Sequence, residues 1–231
     1  MARRWSNGPV RETKVTEFET RRDAMVEEQL RRRGIADREI LDAFRAVPRE
    51  LFVAPAFVPY AYEDHPLPIE SGQTISQPYI VALMIQAAAV RLGDRVLEVG
   101  AGSGYAAAVV SRIAGSVVAI ERHAALARAA QDRLDRLGYP NVTIVEGDGS
   151  CGWAEQAPYD AILVAASGSH VPQPLIDQLA PGGRLVMPVG DPGSTQRLVK
   201  VTMLSDGSTA QADLGEVRFV PLIGEHAWRP G

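Results

Sequence analysis

The chain has 231 residues, 46% hydrophobic and 23% charged, which suits one globular domain with a sizeable core and a small N-terminal elaboration. A net charge of −4 and a pI of about 5.6 give no global basic footprint for a nucleic-acid partner, and the longest apolar runs, such as Ala161 to Ala166, are far too short to cross a bilayer. The lone cysteine, Cys151, excludes an intrachain disulfide and fits a reducing compartment, so a cytoplasmic location with no membrane association is expected.

Residues 1–18 are polar and charged with no apolar period, and are expected to form a disordered arm. Arg3 and Arg4 are not followed by an apolar stretch, so no secretory signal is expected. Acids at Glu12 and Glu17 are interleaved with the basic residues, which fits a solvated tail better than a nucleic-acid arm. Thr20, three residues before Asp23, resembles a capping box, and Met25, Val26, Gln29 and Leu30 follow a helical period. Arg31 to Arg33 and Gly34 end that helix. Asp37 caps a second helix with Ile40, Leu41, Phe44 and Val47 on one face, stopped by Pro48. Arg49 to Ala61, rich in proline and aromatic residues, reads as an irregular cover.

Leu67 to Pro78 leads into another helix, with Pro78 in its first turn and Val81, Leu83, Met84, Ala87 and Ala88 continuing it. Ser76 therefore sits at or just before a helix start. Its hydroxyl has two readings there, an N-cap or a donor beside an anion site.

From Gly93 strands and helices alternate. Strands are predicted over Arg95 to Val99, Ser116 to Glu121, Val142 to Glu146, Tyr159 to Ala165 and Leu185 to Val189. Helices are predicted over Ser103 to Ile113, His123 to Leu137 and Pro174 to Ala180, the last broken by Pro181-Gly182-Gly183. This alternation implies an α/β fold with a parallel sheet covered on both faces. After Gly190 the pattern alternates in period two over Arg197 to Leu204. Ser205-Asp206-Gly207-Ser208 then reads as a turn, so an antiparallel C-terminal hairpin should close the sheet.

Chemistry concentrates at the strand ends. Val96 to Tyr105 takes a strand through Glu98 into Gly100-Ala101-Gly102-Ser103-Gly104, then into a helix. Glycine permits unusual backbone angles and close ligand approach, and a helix N-terminus offers free N–H groups. A dinucleotide fingerprint would need glycine where Tyr105 stands. Glu121 ends the next strand about twenty residues on, where a carboxylate can accept both ribose hydroxyls. Asp148, between Gly147 and Gly149, follows the third strand, where an acid can accept an adenine amino group. The histidines His65, His123, His170 and His226 are scattered with no metal-ligand spacing, so no metal is expected. Ser169-His170 lacks the G-x-S-x-G elbow of a hydrolase.

The acidic strand end with G-x-G-x-G resembles the first motif of the S-adenosylmethionine-dependent methyltransferases. A more specific resemblance runs from about Arg21 to Leu222. Met25 to Leu30, Arg33-Gly34-Ile35, Val47 to Val53, Gly72-Gln73-Thr74-Ile75-Ser76-Gln77-Pro78, Pro181 to Leu185, Pro188-Val189-Gly190 and Phe219 to Leu222 resemble the protein-L-isoaspartate O-methyltransferase family. Generic methyltransferases lack the segment Gly72 to Pro78. The resemblance implies a Rossmann-like methyltransferase sheet, one domain over residues 19–231, and a division into a helical and substrate-loop part (19–92), a cofactor core (93–190) and a hairpin (191–231). It implies methyl transfer from S-adenosyl-L-methionine to the α-carboxyl of L-isoaspartyl residues in aged proteins and peptides, leaving S-adenosyl-L-homocysteine. Ser76 would be the active-site serine. Gln73, Glu98, Gly100, Gly102, Glu121, Asp148 and Gly149 would meet the cofactor, and Thr74 and Ser76 the acceptor. One departure stands out: where the family has V-T-A-A, this chain has Val164-Ala165-Ala166-Ser167, without the threonine hydroxyl. Two other readings stay open, a related carboxyl methyltransferase with a different acceptor and a cofactor-binding module without catalysis.

Overall fold

The computed structural model describes residues 10–229, with side chains from Glu17 to Arg229. Residues 1–9 of the expected arm lie outside the described residues. Helix α1 (Val10–Ala24) occupies the remainder and continues through a π-helical turn, Met25–Leu30, and a 3-10 turn, Arg31–Arg33. The helix runs through Thr20, so the start expected there lies further back in the chain. Its far end matches the sequence reading, because Gly34 takes a left-handed φ of 97°. Helix α2 (Arg38–Ala46) begins where Asp37 accepts the Glu39 N–H, and it buries Ile40, Leu41 and Phe44. Two short strands, β1 (Leu67–Pro68) and β2 (Thr74–Ile75), then pair antiparallel ahead of α3 (Pro78–Ala88).

The rest is one seven-stranded sheet. Its elements are β3 (Arg95–Val99), α4 (Tyr105–Val110), β4 (Ser116–Glu121), α5 (Ala124–Leu137), β5 (Val142–Glu146), β6 (Tyr159–Val164), α6 (Gln173–Asp177), β7 (Leu179–Val189), β8 (Gln196–Met203) and β9 (Thr209–Val217). The strand order is β5-β4-β3-β6-β7-β8-β9, with β3 to β7 parallel and β8 and β9 antiparallel. Successive side chains leave a strand on opposite faces, and both faces here are apolar. On one face Val96, Val117, Ala119 and Ala161 join the core formed with the N-terminal helices, α3 and α4. On the other, Leu97, Val118, Ile120 and Ile162 pack with Leu175, Leu179 and Leu222.

One predicted break is absent. Strand β7 runs through Pro181-Gly182-Gly183, and α6 ends at Asp177. A side chain on Gly183 would meet the Tyr159 carbonyl at 2.9 Å and the Ala180 carbonyl at 2.7 Å, so the glycines serve a close backbone approach and an irregular register within the strand. Helix α4 is also shorter than predicted, since Gly104 is left-handed (φ 82°) and starts it at Tyr105. The order of strands reverses beside β3, whose neighbours are β4 and β6. In an open parallel sheet the crevice beyond the strand ends at such a reversal is the place for a ligand. The β8–β9 turn lies at the opposite end of the sheet, because Thr202 pairs with Arg184 while Arg197 pairs with Val189.

Candidate active site

The glycine turn is held from below by the neighbouring strand. Gly100 and Ala101 both donate their N–H groups to the Ile120 carbonyl, at 2.9 and 3.0 Å. Gly100 and Gly102 sit at φ 93° and 53°, a region L side chains avoid. Glu121, at the tip of β4 and buried, accepts the Gly102 N–H at 2.9 Å with Oε2 and the His123 N–H at 2.9 Å with Oε1. Each carboxylate oxygen keeps a further lone pair for a ligand hydroxyl.

Glu98 is different. It is 2% exposed, and its Oε2 has no hydrogen-bond partner. Burial, aided by the nearby Glu121, pushes its pKa up to about 8. A buried acid with an unmet oxygen is costly unless a ligand completes it.

The loop ahead of α3 is built by the β1–β2 pair. Ile69 donates to the Gln73 carbonyl at 2.9 Å, which sets Gln73 and Thr74 at the mouth. Past β2, the helix-capping position of α3 falls on Gln77, and no side chain caps the helix. The Ser76 hydroxyl has no partner among the described residues, so of its two sequence readings the N-cap is not the one taken up. Arg49, fully buried, donates from Nη2 to the Ser76 carbonyl at 2.8 Å and from Nε to the Ala61 carbonyl at 2.8 Å.

These parts meet in one cavity of about 990 Å³, near the upper end of small-molecule pocket sizes. Gln73, Thr74 and Ser76 line one side. Glu98, Gly100, Gly102, Glu121 and Gly149 line another, with Ala165 and Ala166 beside them. Gly149 lies so close to β3 that a Cβ there would meet Val99 Cγ1 at 2.4 Å. The unmet oxygen of Glu98, the spare lone pairs of Glu121 and the glycine turn fit a cationic nucleoside such as S-adenosyl-L-methionine.

Asp148 is not brought into this group. Its Oδ1 accepts from Ser150 N and Oγ at 2.9 and 2.7 Å, and its Oδ2 accepts the Glu225 N–H at 2.7 Å. Burial works against ionisation there, but the Glu225 and Ser150 bonds hold the carboxyl below its usual range. It borders a shallower cleft with Arg122, Glu146 and Glu225 instead. Its bonds tie down the C-terminal segment, which supplies Phe219, Val220, Leu222 and Ile223 to the main cavity wall. Sequence reasoning missed this wall's contribution, as it missed Arg49 and Tyr105. Arg49 and the wall lie in stretches that carry the family resemblance, Val47 to Val53 and Phe219 to Leu222, but their contacts are distant in sequence and no local pattern shows them. The structure also gathers Cys151, Glu225 and His226, whose ligand atoms lie within 4.8 Å of one another, a grouping that no sequence spacing indicates.

The comparisons with known proteins agree with this geometry. A model of the protein-L-isoaspartate(D-aspartate) O-methyltransferase family matches residues 20–227. The protein-L-isoaspartate O-methyltransferase of Methylorubrum extorquens is 57% identical over 215 residues, 93% of each chain. Protein-L-isoaspartate O-methyltransferase 1 of Rhodopseudomonas palustris is 54% identical over 228 residues, covering 99% of this chain and 93% of its own. A solved protein-L-isoaspartate O-methyltransferase superposes with a TM-score of 0.81 at 33% identity, over 89% of this chain and 67% of that one. Another, described as a beta-aspartate methyltransferase of Plasmodium falciparum in complex with S-adenosyl-L-homocysteine, gives 0.75 at 28% identity, over 87% and 98%. The chain belongs to the protein-L-isoaspartate(D-aspartate) O-methyltransferase family.

Proposed function

We propose that this chain methylates the α-carboxyl of L-isoaspartyl residues in damaged proteins and peptides, using S-adenosyl-L-methionine and releasing S-adenosyl-L-homocysteine. The observation that carries this reading is the shared cavity, in which the glycine turn after β3 and the loop from Gln73 to Ser76 face one space. S-adenosyl-L-methionine supplies an electrophilic methyl group on a sulfonium centre. The acceptor is a carboxylate, already ionised near neutrality, so the chain needs no general base. Its task is to hold acceptor oxygen and methyl carbon in line and to exclude water.

Within this scheme Glu121 takes the ribose hydroxyls and Glu98 faces the cationic end of the cofactor. Gly100, Gly102 and Gly149 allow its close approach, and Gln73 borders it. Thr74 and Ser76 face the acceptor, and the Ser76 hydroxyl orients its carboxylate. Asp148 enters this scheme by anchoring Glu225.

A methyl-transfer assay with an isoaspartyl peptide beside its normal aspartyl twin tests the reading. Turnover of the isoaspartyl peptide alone is expected. Cofactor binding with no turnover of either peptide would overturn it, in favour of another carboxylate acceptor or a silent module. No helix of the described residues is long and apolar enough to cross a membrane. The lone Cys151 supports placing the reaction in the cytoplasm, and activity confined to a membrane or extracellular fraction would overturn that placement.

A further inference from the structure

Among the described residues Arg49 is the largest side chain that is fully buried. No described carboxylate pairs with it. Its polar contacts are the Ala61 and Ser76 carbonyls, its Nη1 is unpartnered, and its Cζ lies 4.7 Å from the Tyr105 ring centroid. The Tyr105 hydroxyl, 1% exposed and beside the guanidinium, meets no partner with hydrogen-bond geometry. Burying a cation without a counter-charge is expensive, and a shape-filling role would be met at less cost by a neutral side chain.

Two of the groups that Arg49 touches, Ser76 and Tyr105, line the cavity. The guanidinium is therefore one side chain behind the wall that the acceptor would meet. Its charge is poorly screened there, because both it and its neighbours are out of water. We propose that Arg49 is a positioning residue for the acceptor: it fixes Ser76 through the backbone carbonyl and supplies the counter-charge that favours a carboxylate over a neutral group in the cavity. The inference rests on the carboxyl-methylating reaction above and adds the source of its preference for an anionic acceptor. The geometry separates two contributions. The hydrogen bond to the Ser76 carbonyl sets where the hydroxyl points. The charge acts across Ser76 and Tyr105 without contact.

The test compares an isoaspartyl peptide with the same peptide carrying an α-carboxamide, a neutral isostere used as a competitive inhibitor. KM and kcat are measured for the first, Ki for the second, and Kd for S-adenosyl-L-homocysteine. Arg49→Met is expected to raise KM for the carboxylate peptide about tenfold, while Ki for the carboxamide and Kd for S-adenosyl-L-homocysteine change less than about threefold. Arg49→Lys, which keeps the charge, should restore much of the lost preference, and this variant decides the matter if Arg49→Met does not fold. Parallel weakening of both peptides, or an unchanged KM, would overturn the inference, since a merely structural role does not distinguish a carboxylate from its amide. Wild-type turnover is measured first. Its absence sinks the reaction itself, whereas turnover with an unaltered preference in the variants sinks only the role of Arg49.

Discussion

Glu121 and Gly102 are joined by a single hydrogen bond of 2.9 Å that closes the glycine turn onto the end of β4. The acid assigned to the ribose is thus also a structural part of the turn, nineteen residues earlier, that admits the cofactor. Glu121→Ala removes the acceptor for the ribose and leaves the Gly102 and His123 N–H groups unmet. Loss of charged hydrogen bonds of this kind costs about 1.5–3 kcal/mol, so S-adenosyl-L-homocysteine affinity should fall about 10- to 100-fold. Isothermal titration calorimetry reads this, and an affinity within about twofold of wild type would refute the assignment.

Ser76→Ala should behave in the opposite way. The hydroxyl has no partner within the described chain, and its neighbour Gln77 occupies the capping position of α3, so its removal leaves the fold intact. A misplaced acceptor is expected to lower kcat about 100-fold, with S-adenosyl-L-homocysteine binding unchanged. Loss of cofactor binding with unaltered turnover per bound cofactor would contradict an acceptor-positioning role.

Glu98 makes stability depend on pH. Burial raises its folded-state pKa to about 8 from an ordinary value of 4.5. Between those values the folded chain holds a proton that the unfolded chain releases, so stability falls as pH rises through this window and levels off above it. The slope is at most about 1.4 kcal/mol per pH unit. Urea denaturation of wild type and Glu98→Gln at pH 5, 6.5 and 8 should show the two converging towards low pH and diverging as pH rises. Parallel curves would show that Glu98 is ionised in the folded chain throughout.

Gly149→Ala tests the close approach of the loop after β5 to β3. The new Cβ would lie 2.4 Å from Val99 Cγ1, on a stiff, buried, β-branched side chain. Overpacking of this kind costs about 1–3 kcal/mol. Cofactor affinity should drop as well, because Gly149 lines the cavity. The double variant Gly149→Ala with Val99→Ala should recover part of the melting temperature. A single variant as stable as wild type would show that the loop moves freely.

Much of the fold was legible because the strands are apolar runs with turn residues at their ends. β3, β4 and β5 fall on the predicted bounds, and the Asp37 cap and the Gly34 stop are local chemistry that a sequence displays directly. Pro181-Gly182-Gly183 misled because glycine has two uses, ending a helix or letting backbones approach, and only the neighbouring Tyr159 carbonyl decides between them. The lining of the cavity was legible where its residues belong to one strand-and-turn unit, as at Glu98, Gly100 and Gly102. The hydrogen bonds of Asp148 were not legible in its own stretch, because one donor to its carboxylate, the Glu225 N–H, lies 77 residues away. Arg49 carried no signal of burial, since arginine is ordinarily a surface residue and its partners, Ala61 and Ser76, are backbone carbonyls that any sequence supplies.

The β8–β9 turn offers a practical handle. Ser205 to Ser208 is exposed, it is knit mainly by its own Asp206 and Ser208, and it sits at the end of the sheet remote from the cavity. A fluorophore, an affinity tag or a surface tether grafted there would leave the cavity mouth facing away from the support. Immobilised in that orientation, the protein could present its loop from Gln73 to Ser76 to aged proteins flowing past it.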